Sequence, residues 1–94
     1  MTSGLTRQEV YQVIDGERNH QDEKWPQDPP LSPSDEIRLM RVILSKADAE
    51  WYVTQDNVVR GVKVNPADLE ALRKIAAVAV RAMETWGAVR REPD

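Results

Sequence analysis

Residues 26–33 read PQDPPLSP and hold four of the chain's six prolines, at 26, 29, 30 and 33. Proline has no amide hydrogen to donate and restricts the residue before it, so neither a helix nor an interior strand runs through such a stretch. The chain is therefore divided there. Directly afterwards, Ser32-Pro33-Ser34-Asp35 carries the signals of a helix start: a capping hydroxyl, a first-turn proline, and an acid near the positive helix end. Asn65-Pro66-Ala67-Asp68 repeats them, and Thr6-Arg7-Gln8-Glu9 has capping-box spacing. Three starts within 94 residues predict one all-α domain with helices over about 6–25, 33–53 and 66–87. Residues 26–33 form the linker between the first two helices, and 88–94 form a loose tail.

Apolar spacing fills in the faces. Val10, Ile14, Glu17 or Arg18, Gln21 and Trp25 fall at three- and four-residue steps along one stripe of the first helix. Gly16 interrupts that helix at a cost of about 1 kcal/mol relative to alanine, so a close neighbour or a slight bend is expected there. In the second helix Ile37, Met40, Leu44, Ala47 and Trp51 make a narrow seam. In the third, Leu69, Leu72, Ala76, Ala79, Met83 and Trp86 make an a/d seam, and Gly87 suits the left-handed position that ends a helix. Trp25, Trp51 and Trp86 are expected as core anchors. The segment QDNVVRGVKVN, residues 55–65, is expected to be an irregular loop, because an isolated two-stranded hairpin is marginal in water. The run Ile75 to Val80 is six consecutive apolar residues. Two other helices have difficulty covering all of it, so a homo-oligomer through the third helix is expected.

Composition excludes several chemistries. There is no cysteine, which removes disulfides, zinc–thiolate sites and thiol nucleophiles. A single histidine, His20, cannot build a His-rich metal site, and as a solvent-facing residue it carries no expected role. A net charge of −3 argues against general nucleic-acid binding. No apolar run approaches the roughly 18 residues of a membrane span, and no signal-peptide pattern opens the chain, so a cytoplasmic protein is expected. The four glycines are too scattered for a phosphate-cradling loop. What remains is carboxylate and arginine chemistry on helices.

Glu17, Arg18, Gln21, Asp22 and Trp25 form an ERxxQDxxW pattern; an acid-led helix follows at Asp35-Glu36, and Leu72 to Ala88 reads LRKIAAVAVRAMETWGA. Together these resemble small bacteriophage proteins related to the MazG-like, all-α nucleotide pyrophosphohydrolases, over roughly residues 8–90. The resemblance implies an oligomeric helical bundle, a nucleotide pocket, and the cytoplasm of a bacterial host as location. In active members of that family, glutamates in E-E-x-x-E and E-x-x-D patterns hold magnesium, since acids three or four residues apart share a helix face.

This chain departs from those patterns. No two of its sixteen acids lie three or four residues apart, and the place aligned with E-x-x-D reads Ala71-Leu72-Arg73-Lys74. The expectation is therefore no metal and no catalytic residue; if magnesium were held, single acids from different helices, Glu17, Glu36, Asp48 and Glu50, would hold it. Arginines and lysines can instead grip phosphate without a metal, and a tryptophan can stack on a base. The expected ligand set is Glu17, Arg18, Gln21, Lys24, Trp25, Arg41 and Lys74, with Glu17, Arg18 and Gln21 on a groove edge. The same residues also suit a solvated helix face, with an Arg18–Asp22 pair and a Glu70–Lys74 pair. The leading expectation is a protein that binds a nucleotide or nucleotide-derived signal with little or no hydrolysis, for instance to sequester a host signalling nucleotide. The alternatives are an active magnesium-dependent nucleoside triphosphate pyrophosphohydrolase and an interaction module acting on a host protein.

Overall fold

The computed structural model describes residues 4–26, 29–50, 57–59 and 61–93. Its elements are α1 (Arg7–Lys24), α2 (Pro33–Glu50), β1 (Asn57–Val59), β2 (Val62–Val64) and α3 (Pro66–Trp86). The fold is an all-α three-helix bundle with one short hairpin in the connection before α3. Trp51 and the expected end of the second helix, at 51–53, lie outside the described residues.

Each helix start follows from its capping residue. The Thr6 hydroxyl accepts from the Glu9 amide at 3.2 Å while the Glu9 carboxylate accepts from the Thr6 amide at 2.9 Å, completing the capping box. The Ser32 hydroxyl accepts from the Asp35 amide at 3.2 Å ahead of α2. Asn65 caps α3, its side-chain oxygen accepting from the Ala67 amide at 2.9 Å with Pro66 in the first turn. At the far end Gly87 adopts a φ of 101° and donates its amide to the Met83 carbonyl at 2.9 Å. Only glycine takes that backbone angle without strain.

Three expectations about the chain need correction. Part of the segment expected as an irregular loop is an antiparallel hairpin, with Asn57 opposite Val64, Val58 opposite Lys63 and Val59 opposite Val62. Val64 is half-buried and leads directly into the buried cap Asn65. Gly16 has no neighbour within 4 Å of the place a Cβ would occupy, so close packing does not explain it. The tryptophans that are described are not core anchors. Trp25 is 59% exposed and Trp86 is 53% exposed.

The large residues of the α3 seam are turned outward, while its Ala76 and Ala79 are half-buried. Leu69, Leu72, Met83 and Trp86 are exposed, while Ala71, Ala77, Val78 and Arg81 are buried. The buried stripe thus runs about one residue ahead of the apolar one, a rotation of about 100°. Small side chains explain how α3 can serve as the central helix, packed against both α1 and α2. Alanine on the inward face lets neighbouring backbones approach, and the larger apolar residues are left outside. In α2 the same happens: Glu36 and Ala47 are buried, Leu39, Met40 and Ile43 are half-buried, and Ile37 and Leu44 are exposed.

Candidate functional site

The three helices enclose a cavity of about 510 Å³. From α1 come Glu17, His20 and Gln21, one helical turn apart, followed by Trp25 just beyond the helix end. Leu39 and Ile43, four residues apart on α2, form one apolar wall, and Val78 of α3 continues it. Arg73, Lys74 and Arg81 of α3 complete the lining. Apolar walls with a few convergent polar groups, in a volume within about 300–1,000 Å³, are the usual make-up of a small-molecule site.

The charged groups around this cavity differ in their freedom. Arg81 is bound to Glu36 through two bonds, Nε to Oε2 at 2.9 Å and Nη2 to Oε1 at 2.7 Å. Arg73 donates from Nε to Glu17 Oε1 at 2.7 Å, and its Nη2 lies 3.9 Å from Glu70. Glu70 therefore approaches Arg73 and not Lys74, against the pairing expected from the four-residue spacing. Lys74 forms no ion pair among the described residues, which leaves its ammonium available at the cavity. His20 and Trp25 meet edge to face, with ring centroids 6.1 Å apart and planes at 88°. Gln21 is 5% exposed, and its Oε1 has no hydrogen-bond partner among the described residues.

Of the expected ligand set, Glu17, Gln21, Trp25 and Lys74 are brought together on this cavity. Arg18, Lys24 and Arg41 are not on its lining. Lys24 and Arg41 face solvent. Arg18 is buried and turned the other way, its Nη1 donating to Asp22 Oδ1 at 2.9 Å and its Nε to Glu84 Oε2 at 2.7 Å. Burial alone would lower the pKa of this guanidinium, but the bonds and charges of Asp22 and Glu84 outweigh it and raise the pKa above the ordinary arginine value. The expected Arg18–Asp22 pair is thus present, with Glu84 of α3 added to it, so Arg18 ties α1 to α3.

His20, Arg73, Arg81, Leu39, Ile43 and Val78 line the cavity without having been in the expected set. Arg73 and Glu17 are 56 positions apart, and no local spacing relates them. Arg81 did carry a signal: it directly follows six apolar residues, and a cation on such a stripe calls for a buried partner.

Among the described residues no group of three or more histidines, aspartates or glutamates is placed to hold a metal ion. Glu17 is engaged by Arg73 and Glu36 by Arg81; Asp48 is exposed on α2, and the Glu50 side chain lies outside the described residues. No family model, curated protein or solved structure matches the chain.

Proposed function

We propose that this protein binds a nucleotide or nucleotide-derived small molecule in the cavity between its helices, with little or no hydrolysis, as a homo-oligomer assembled through α3. The observation that carries the reading is the pairing of an apolar slot, Leu39, Ile43 and Val78, with a lysine that has no ion pair among the described residues and an aromatic rim at its edge. A base has flat apolar faces suited to the slot and to Trp25. A phosphate has oxygens suited to Lys74. The resemblance to MazG-like proteins points to the same ligand class. The dispersed acids support binding over turnover, because each acid that reaches the cavity or its wall already neutralises an arginine. Sequestration of a signalling nucleotide is the role such a molecule suits.

The oligomeric part of the reading rests on surface. The chain exposes 7813 Å², against about 5,500 Å² for an ordinary folded monomer of this mass. Its radius of gyration is 15.2 Å, against about 12 Å for a compact domain of this length. A standard interface removes about 800 Å² from each partner, so the surplus can supply one or more such contacts. An apolar groove formed by Pro33, Ile37, Met40, Ala79, Met83 and Trp86, which shares no lining residue with the cavity, offers one place for such a contact.

Native mass spectrometry of protein purified from cells tests both parts together, reporting subunit number and any retained small molecule. Incubation with nucleoside triphosphates and magnesium, with pyrophosphate detection, tests turnover. A multimer that retains or accepts nucleotide without releasing pyrophosphate is expected. Steady pyrophosphate release would instead establish the enzyme reading, and a monomer that ignores nucleotides but captures a host protein would establish an interaction module.

A further inference from the structure

We infer that the phosphate end of the nucleotide lies between Lys46 of α2 and Lys74 of α3, in a small depression bordering the cavity that the two ammonium groups make into an anion site. The inference rests on the nucleotide reading above and goes further by locating the phosphate and by assigning a role to Lys46, which does not line the cavity itself.

The depression has a volume of about 100 Å³, and Ile43 and Lys74 line both it and the cavity. Ile43 and Lys46 are three residues apart on α2, as Ala71 and Lys74 are on α3, so each pair shares a helix face. Ala47 and Ala71 are buried, and their small side chains leave room between the helices where the lysines stand. Neither lysine has an ion pair among the described residues. The arginines on the cavity, by contrast, are neutralised, Arg73 by Glu17 and Arg81 by Glu36. Glu70 also lines the depression, but its side chain is 62% exposed and its carboxylate approaches Arg73, 3.9 Å away, so it neutralises neither lysine. Two like charges bordering one small space repel each other, and an anion placed between them reverses the sign of that interaction. An ammonium group binds phosphate as a point charge with three rotatable donors, which suits side chains that converge from different helices. Because Lys74 borders both spaces, a phosphate held there leaves the attached base beside the apolar walls Leu39, Ile43 and Val78. A single molecule then fills the slot and offsets the two uncompensated charges.

Titration calorimetry on the full chain with AMP, CMP and the matching nucleosides tests this. Each nucleotide is expected to bind more tightly than its nucleoside. Lys46→Met and Lys74→Met keep an apolar stem and remove the charge. Each is expected to weaken nucleotide binding about tenfold, the worth of one charge-assisted hydrogen bond, and to leave nucleoside binding unchanged while circular dichroism shows the helices intact. Arg90→Met takes the same charge from the exposed tail and is expected to change neither. Nucleotide affinity that survives Lys46→Met, that falls equally in Arg90→Met, or that merely equals nucleoside affinity would overturn the phosphate site and leave ligand binding in the cavity standing. Failure of the folded protein to bind any of the four compounds would remove the nucleotide reading itself, and this inference with it.

Discussion

Arg81 of α3 holds Glu36 of α2 in a two-pronged ion pair that is almost wholly shielded from water, Glu36 being only 1% exposed. The pair crosses the helix–helix contact that the small alanines make close, and it fixes α2 against α3 beside the cavity. Removing either partner strands a charge in the interior. Glu36→Leu or Arg81→Met alone is expected to cost about 3–5 kcal/mol, whereas the double substitution recovers much of that loss because no charge is left unpaired. Urea unfolding of the wild type, both single variants and the double variant gives the coupling energy. Single variants that lose less than about 1 kcal/mol would show that water reaches the pair.

Gly16 and Gly87 are expected to respond in opposite ways to the same change. Gly16 lies exposed within α1 with open space where a Cβ would sit, so Gly16→Ala should stabilise by about 0.5–1 kcal/mol, the intrinsic helix preference. Gly87 has a φ of 101° at the end of α3, where any side chain is strained. Gly87→Ala should destabilise by about 1 kcal/mol although it too meets no neighbour. Thermal melts of the two variants beside the wild type decide this, and a loss of stability on Gly16→Ala would mean that α1 has a neighbour in solution at that point.

These contrasts mark how far the sequence could be read. Helix starts were legible because capping is local: Thr6, Ser32 and Asn65 each act within three residues, and all three cap where expected. The end of α3 at Gly87 was legible for the same reason. The inward faces were not. Periodicity finds the most apolar stripe of a helix, and on α3 the large members of that stripe, Leu69, Leu72, Met83 and Trp86, face out while Ala71, Ala77, Val78 and Arg81 face in. Apolar spacing does not say whether a stripe is buried within a chain or kept for another copy of it. For the cavity, Glu17, Gln21 and Trp25 were within reach of a stripe argument, and Lys74 entered as a cation able to hold phosphate. Arg73 was out of reach, because the acid it meets comes from another helix, and for Arg81 the sequence signalled burial but not the partner, which comes from α2. Arg18 lies off the cavity lining, and its second partner, Glu84, is 66 positions away, beyond the reach of local spacing.

The capping box at Thr6 has a pH signature. Bonds from the Thr6 amide and hydroxyl hold the Glu9 carboxylate below the ordinary glutamate pKa, while desolvation acts weakly the other way. A depressed folded-state pKa stabilises the fold above the unfolded value, about 4.3, and that contribution disappears as pH falls through the folded value. Glu9→Gln should therefore lower the melting temperature slightly near pH 7, with the difference from wild type shrinking below about pH 4. A difference that stays constant from pH 7 to pH 3 would show that the carboxylate charge contributes nothing to the cap.

The outward seam of α3 makes the last prediction. Leu69, Leu72, Met83 and Trp86 are exposed on one helix, and Ile37 of α2 extends the patch across the groove. Trp86 is held in place there by a bond from its indole nitrogen to the Leu31 carbonyl at 2.8 Å, so the patch is presented as an ordered surface. Contiguous apolar area of this kind is uncommon on a monomer and marks an interaction site. If that site is the contact between copies, Met83→Glu places a charge at its centre and should dissociate the assembly. Because Met83 contributes little to the interior of a single chain, helix content should be preserved. Sedimentation velocity of wild type and variant gives the answer: a multimer that becomes a folded monomer is expected. A wild type that sediments as a monomer at tens of micromolar would leave the patch without a second copy to cover it, and the surplus surface would then need a different partner.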